Sequence, residues 1–484
     1  MRKPLITGLI LLSNLFALNA QKKSVVDPAD KLKDQVAKNI DADYEKNKKI
    51  ALQIWDYAEV GYKEVKSSAL LQQQLKENGF TVEAGVAEIP TAFVATFGSG
   101  KPVIAILAEF DALPGLSQQA LPEKKPIEGR NSGHGCGHHL FGTASVAAGI
   151  EIKKLIEQKK FQGTIKVFGC PAEEGGSGKV YLVRAGLFND VDVVIHWHPW
   201  DENSITMTSA LANKSAKFRF YGISAHASDA PDKGRSSLDA VEALDYMVNM
   251  MREHVPQQTR IHYVITNGGK APNVVPDFAE VYYYVRHPQK DMVKEIFDRV
   301  VKAAEGAAMG TGTKMEYEVI GGTHDLLINK SLGEVMQKNL ERVGGVTYTN
   351  DEIEFGKKIQ STFNFKVPAI ETSKTVKPLQ PGDAGGGSTD VGDVSYVVPT
   401  VGLAAATWIP GVPAHSWQAV ACGGTDIGIK GMQVAAKTMA MTAIDLFTNQ
   451  SNIEKAKQEF VKAKGDYKYE ALLGNRKPAL NYRD

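Results

Sequence analysis

Two textures of apolar and polar positions alternate along the chain. Short, mostly apolar runs recur at 92–97, 103–107, 164–169 and 191–195. Each reads as a strand, and 103–107, apolar throughout, is expected to be buried on both faces of a sheet. Around them, helical spacing carries Ile50, Ile54, Trp55 and Tyr57, then the stretches 67–78 and 143–156. Strands alternating with helices predict an α/β domain with a mostly parallel, mixed sheet flanked by helices. In sheets of this kind, chemistry gathers in the loops beyond the strand C-termini.

Near residue 212 the texture changes. The segment 217–221 alternates as a half-exposed strand, and an amphipathic helix follows at 237–254. Strands at 261–265 and 281–285, a helix at 291–308 and a strand at 315–320 complete the set. This order, strand-helix-strand-strand-helix-strand, predicts a ferredoxin-like α+β module over 213–321. It interrupts a discontinuous first domain, 42–212 and 322–450, to which a further apolar strand at 401–406 belongs. Residues 21–41, polar and lysine-rich, read as a flexible lead-in. The tail, 451–484, starts helical and ends loose. At the N-terminus, Arg2 and Lys3 precede an apolar run from Leu5 to Leu18, with Ala20 ahead of Gln21. That order reads as a signal peptide over 1–20, too short for a membrane anchor. The expected location is exported, periplasmic or secreted, with no membrane attachment after cleavage.

Composition narrows the picture little. A chain of 484 residues exceeds one ordinary core, so two domains are expected. A net charge of +1 with no basic run gives no support to nucleic-acid binding. Partners should be small molecules or copies of the chain. Three widely spaced cysteines make no disulfide framework. Cys170 and Cys422 read as core residues. Cys136 keeps other company, in N-S-G-H-G-C-G-H-H at 131–139.

That stretch is one of several chemical segments close to strand ends. The others are Glu109-Phe110-Asp111, Pro171-Ala172-Glu173-Glu174, His196-Trp197-His198-Pro199 and Ala414-His415-Ser416. Thiolate, imidazole and carboxylate are ligands for zinc, with manganese a competitor where carboxylates join. Cys136 and His138, two apart in an extended loop, can point to one side. Glu173 and Glu174, being adjacent, point apart, so one can ligate while the other holds a proton. Next to an acidified water, a free carboxylate is a natural general base. Taken singly, each segment is weak evidence. An adjacent glutamate pair is usually a solvated face, and a histidine after a strand usually bonds backbone. Their joint occurrence at strand ends points to metal.

Here the chain resembles the metal-dependent amidohydrolase and peptidase family of aminoacylases, auxin-conjugate hydrolases and carboxypeptidases. It looks nearest to the aminobenzoyl-glutamate hydrolase branch. The segments are I-W-D-Y-A-E-V-G-Y at 54–62, A-E-F-D-A-L-P-G-L-S at 108–117 and G-H-G-C-G-H-H-L-F-G-T-A at 133–144. P-A-E-E-G-G-S-G-K at 171–179, W-H-P at 197–199 and G-I-S-A-H-A-S at 222–228 continue the series. P-N-V-V-P-D at 272–277, G-S-T-D-V-G-D-V-S at 387–395 and H-S-W-Q at 415–418 complete it. The resemblance spans roughly residues 42–450 in one register. It implies two divalent ions, Mn or Zn, held by Cys136, His138, Glu174, His198 and His415. A thiolate bridges metals well, which favours Cys136 for that role. Glu173 takes the general-base position, and Asp111 that of a carboxylate orienting a ligand histidine. The inserted module resembles a lid and dimerisation domain, implying a homodimer. His226 falls where relatives reach a partner's active site to stabilise an oxyanion. Asn273 and Arg286 match positions that hold the substrate's carbonyl and carboxylate; the alternative for Arg286 is a strand-surface charge.

His134, His139 and His196 match no ligand position and read as backbone-bonding residues. At 139, many auxin-hydrolase relatives carry Asp and the aminobenzoyl-glutamate branch commonly Asn. The function implied is an exported two-metal hydrolase cleaving the amide of N-acyl or N-aroyl amino acids. Two rivals remain: a dipeptidase or carboxypeptidase on the same site, and a non-catalytic exported binding protein. An intact Glu173 speaks against the latter.

Overall fold

A computed structural model describes residues 27–483. The expected signal peptide lies outside them. Two sheets organise these residues. The larger begins with the edge strand β1 (Thr81–Ala84) and its neighbour β2 (Phe93–Ser99), followed in the chain by β3 (Val103–Glu109). β4 (Leu113–Pro114) and β5 (Ser132–Gly133) form a separate short pair ahead of the Cys136 turn. β6 (Gly163–Cys170), β7 (Val193–Trp200) and β8 (Ser204–Ile205) return to the large sheet. The second sheet holds β9 (Ala212–Tyr221), β10 (Arg260–Asn267), β11 (Phe278–His287) and β12 (Lys314–Thr323), and β13 (Thr400–Ala406) closes the first. The large sheet runs β1-β2-β6-β3-β7-β13-β8, with β6, β3, β7 and β13 parallel and the outer strands antiparallel. Every residue of β3 is buried, as its unbroken apolar run requires.

Helices follow the same logic. α1 (Pro28–Ala42), α2 (Tyr44–Tyr57) and α3 (Val65–Glu77) open the chain. α1 corrects the expected flexible lead-in: Val36 and Ile40, four apart, put a narrow buried stripe on an otherwise charged helix. α4 (His138–Glu157) packs on β3 and β6. It starts five residues before the expected helix, because Gly137 turns the chain at φ 73°. His138 is therefore the first helical residue rather than part of an extended loop. A one-turn element α5 (Glu173–Gly176) leads into α6 (Gly178–Arg184).

The second unit follows the expected order. β9 is followed by α7 (Ser237–Met251), then β10, β11, α8 (Lys290–Thr311) and β12. Its sheet, β10-β11-β9-β12, is antiparallel throughout. Along β11 the burial alternates strictly. Val281, Tyr283 and Val285 meet the helices, so Tyr282, Tyr284 and Arg286 face the other way. Past β12 come α9 (Lys330–Val343), α10 (Asn350–Gln360), α11 (Val391–Ser395), α12 (Trp417–Gly423), α13 (Asp426–Thr448) and α14 (Gln450–Lys464). No helix among the described residues is long and apolar enough to cross a membrane.

The tail after α14 is irregular without being loose. Tyr467 bonds His324 at 2.8 Å, Tyr469 donates to Asp393 at 2.7 Å, and Leu472 and Leu473 are buried. Arg476 donates to the Ile320 carbonyl at 2.6 Å. The segment is thereby fastened across both sheets' domains.

Candidate active site

Three parallel strands deliver the central residues. Glu109 closes β3, and Asp111 follows two residues later. Glu173 and Glu174 follow β6, while His198 lies within β7 near its C-terminal end. His415 arrives from the loop after β13, immediately before Ser416, whose side chain caps α12. The His415 N–H donates to the Gly135 carbonyl at 2.9 Å, which ties this loop to the Cys136 turn. His415 itself sits at φ 58°, a left-handed conformation that a non-glycine residue holds only under outside constraint.

Asp111 is the hub. Its Oδ1 accepts from His138 Nδ1 at 2.9 Å, and its Oδ2 accepts from the Glu174 N–H at 2.9 Å. One carboxylate thus orients an imidazole and the turn bearing both glutamates. Burial opposes ionisation of Asp111, but His138 and the backbone donor hold its pKa below the usual carboxylate value. His198 is prepared from behind as well: its Nδ1–H donates to the Pro199 carbonyl at 2.7 Å, leaving Nε2 to accept from Cys136 Sγ at 3.5 Å. Burial and the His138 charge push the His198 pKa down to about 3, keeping the ring neutral as a metal ligand requires.

Three donor triplets result. Cys136, His138 and His198 place ligand atoms within 4.8 Å of one another, as do Cys136, Glu174 and His415, and Glu109, His138 and Glu173. Cys136 is common to the first two. Glu174 Oε1 and His138 Nε2 are buried without hydrogen bonds. Those two atoms lie 3.2 Å from His415 Nε2 and 3.1 Å from Glu109 Oε2, respectively. Burial and the Glu174 charge raise the Cys136 thiol pKa, so a thiolate here needs a cation beside it. Orphaned lone pairs and a mixed S, N, O donor set fit divalent metal ions.

Glu173 belongs to neither triplet that contains Cys136 and shares the third with His138 and Glu109. Desolvation, with Glu109 and Glu174 adding negative charge, lifts its pKa well above ordinary carboxylate values. Beneath it lies an ionic group that sequence reading left unassigned. Lys179 Nζ sits 2.6 Å from Glu109 and 2.6 Å from Asp390, all fully buried. The available signal was the two-residue spacing of Glu109 and Asp111, which puts both side chains past one strand end.

A cleft of about 560 Å³ joins these residues to the inward face of the second sheet. Arg286 and Tyr284 line it, opposite Cys136, Glu173, Glu174, His198 and His415. Arg286 is therefore a cleft residue and not an outer strand charge. A neighbouring cavity of about 510 Å³ shares His198 and Trp200 and is walled by Met207, Leu326 and Val391. His226 and Asn273 lie elsewhere. They neighbour each other, the Ala227 N–H donating to the Asn273 carbonyl at 3.0 Å, but neither lines the cleft of its own chain. His134 and His139 bond the carbonyls of Ile54 and Gly423 at 3.1 and 3.0 Å, and His196 packs on Gly402.

A parallel-sheet domain with this donor cluster at its strand ends, faced by an inserted antiparallel module, defines a metal-dependent amidohydrolase. Comparison with known proteins specifies the kind. Residues 212–311 match the M20 peptidase dimerisation domain. The chain is 42% identical over 446 residues to a p-aminobenzoyl-glutamate hydrolase chain of Escherichia coli (strain K12), across 87% of this chain and 93% of that one. It is 28% identical over 446 residues to the Xaa-Arg dipeptidase of Mus musculus, covering 89% and 92%. In fold it is similar to the aminobenzoyl-glutamate utilization protein from Klebsiella pneumoniae, with a TM-score of 0.58 at 18% identity over 86% and 98% of the two chains. The chain belongs to the M20 family of metal-dependent hydrolases, among the relatives of p-aminobenzoyl-glutamate hydrolase.

Proposed function

We propose that the protein hydrolyses the amide bond of N-acyl or N-aroyl amino acids, with Glu173 as general base. The observation that carries this reading is the pair of donor triplets sharing Cys136, with Glu173 outside that pair and Arg286 across the cleft. Cys136, His138, Glu174, His198 and His415 would hold two divalent ions, Mn or Zn, with Cys136 common to the two donor sets. Such ions, when bound, supply Lewis acidity to a water and to the scissile carbonyl. Glu173 takes a proton from the attacking water at a carboxylate oxygen and passes it to the leaving amine nitrogen. Its raised pKa suits both directions of transfer. The Arg286 fork binds the amino acid's carboxylate bidentately. The mostly apolar cavity beside Trp200, Met207 and Leu326 takes the acyl or aroyl group.

His226 and Asn273, absent from their own cleft, act in that of a second copy in a homodimer formed through the inserted module. There His226 stabilises the oxyanion and Asn273 holds the carbonyl. Export, expected from residues 1–20, belongs to this reading and is checked by fractionating cells for the processed chain.

Replacing Glu173 with Ala should cut turnover at least ~10³-fold while metal content, measured by elemental analysis, stays near wild type. Equal loss of metal would mean that the two glutamates are assigned the wrong way round. The likeness to the mouse Xaa-Arg dipeptidase favours a second reading, dipeptide cleavage at the same site. A panel of N-aroyl amino acids and dipeptides separates the two.

A further inference from the structure

The turn that carries Glu173 and Glu174 is an unusual piece of backbone. Ala172 at φ 56° and Ser177 at φ 58° bracket it in left-handed conformations, and Glu174 itself, at φ −70° and ψ 64°, lies outside the helical region. Non-glycine residues keep such conformations only where the surroundings over-determine them. On the core side three side chains do so. Glu64 accepts from the Ala172 N–H at 2.8 Å, Asp111 accepts from the Glu174 N–H at 2.9 Å, and Tyr62 donates to the Gly176 carbonyl at 2.7 Å.

The tail holds the turn from the other side. The Tyr482 hydroxyl donates to the Glu174 carbonyl at 3.1 Å, and Arg483 donates to the same oxygen at 2.5 Å. The Tyr482 ring stands edge-on to Tyr62, with centroids 5.5 Å apart, and the Arg483 guanidinium lies over that ring at 4.7 Å. Gly61 leaves the seat open, since a Cβ there would collide with the Tyr482 hydroxyl. Tyr467, Tyr469, Leu472, Leu473 and Arg476 fasten the preceding tail, so these donors arrive on a fixed support. Asp111 and the tail therefore grip Glu174 by its N–H and its C=O. Pinning both peptide planes fixes the direction in which its carboxylate leaves the chain. That carboxylate belongs to the triplet with Cys136 and His415 and not to the one with His138 and His198.

We infer that Tyr482 and Arg483 are positioning residues: through the Glu174 carbonyl they aim its carboxylate and set the affinity for one of the two ions, the one held with Cys136 and His415. This rests on the two-metal reading above. It goes further in giving the tail and the segment 54–62 a task at the site. Groups behind a ligand that fix its orientation commonly govern metal affinity.

The test counts metal in the full chain across a series of chelator concentrations, by elemental analysis. Tyr482→Phe combined with Arg483→Gln removes both donors and keeps the ring on Tyr62. Wild type should hold two ions. The double variant should hold one near wild-type affinity and the second ~10- to 100-fold more weakly. Arg483→Lys, which keeps a donor, should stay close to wild type. Activity that the double variant loses at limiting metal should return when Mn or Zn is supplied in excess, with the substrate KM little changed. Amide hydrogen exchange across 173–178 should quicken in the double variant while that of α4 does not. Two ions held at unchanged affinity would overturn the inference. So would an equal weakening of both, which marks general loosening. If wild type with ample Mn or Zn binds no ion, the two-metal reading fails instead. Exchange in the metal-free chains then still decides whether the tail braces the Glu174 turn, and unchanged exchange would sink that as well.

Discussion

Asp111 shows how much one side chain can organise. It accepts from a candidate ligand histidine and from the backbone of a candidate ligand glutamate, and each of the three donor triplets contains one of the two. Asn in its place keeps the size but presents one acceptor where two are used, and turns an NH₂ toward a donor. Asp111→Asn should lower metal affinity ~10- to 100-fold, read by competition with a chelator, with Glu173 intact. Unchanged affinity would mean that His138 needs no carboxylate behind it. Cys136, His138 and Glu173 were legible in the sequence because their residue types and spacing are unusual together. Lys179 was not: a lysine after a glycine-rich turn reads as solvated, and only its packing between Glu109 and Asp390 buries it.

At the scale of elements, the strand and helix order of both sheets was readable, because burial on one or two faces leaves a period in the chain. The edges of elements were less so. α1 was hidden by its lysines, and α4 begins at His138 because a left-handed glycine turns the chain there. The α7–β11 contact carries a consequence for stability. Tyr283 donates to the buried Asp245, and burial still outweighs that bond, raising the Asp245 pKa to about 6. A carboxyl whose folded pKa is raised favours folding fully below its unfolded value, about 3.9, and loses that contribution as pH rises through about 6. Asp245→Asn keeps an acceptor for Tyr283 and removes the charge. Thermal melts should show the variant gaining on wild type between about pH 4 and about pH 6, and levelling off above that. A difference independent of pH would count against this account.

Across the whole molecule, the cleft takes its walls from both sheets and from the tail, while His226 and Asn273 sit outside it. The proposed sharing of sites between copies makes a quantitative prediction. Glu173→Gln and His226→Ala chains should each be inactive alone. Mixed and re-equilibrated, they should recover about a quarter of wild-type activity, because half the dimers are mixed and each holds one complete site. No recovery would place the work of His226 within its own chain or elsewhere.

What the sequence determined by itself is the local part: the periods that make strands and helices, the inserted module, and the residue types able to hold metal. Those follow from neighbours in the chain. Only the tertiary structure decided which loops converge, that Arg286 faces the cleft, and that Arg483 meets the Glu174 carbonyl 309 positions away. The physical reason is that such contacts leave no period in the sequence. They arise when sheet twist, helix packing and the fastening of the tail bring distant backbone to one place.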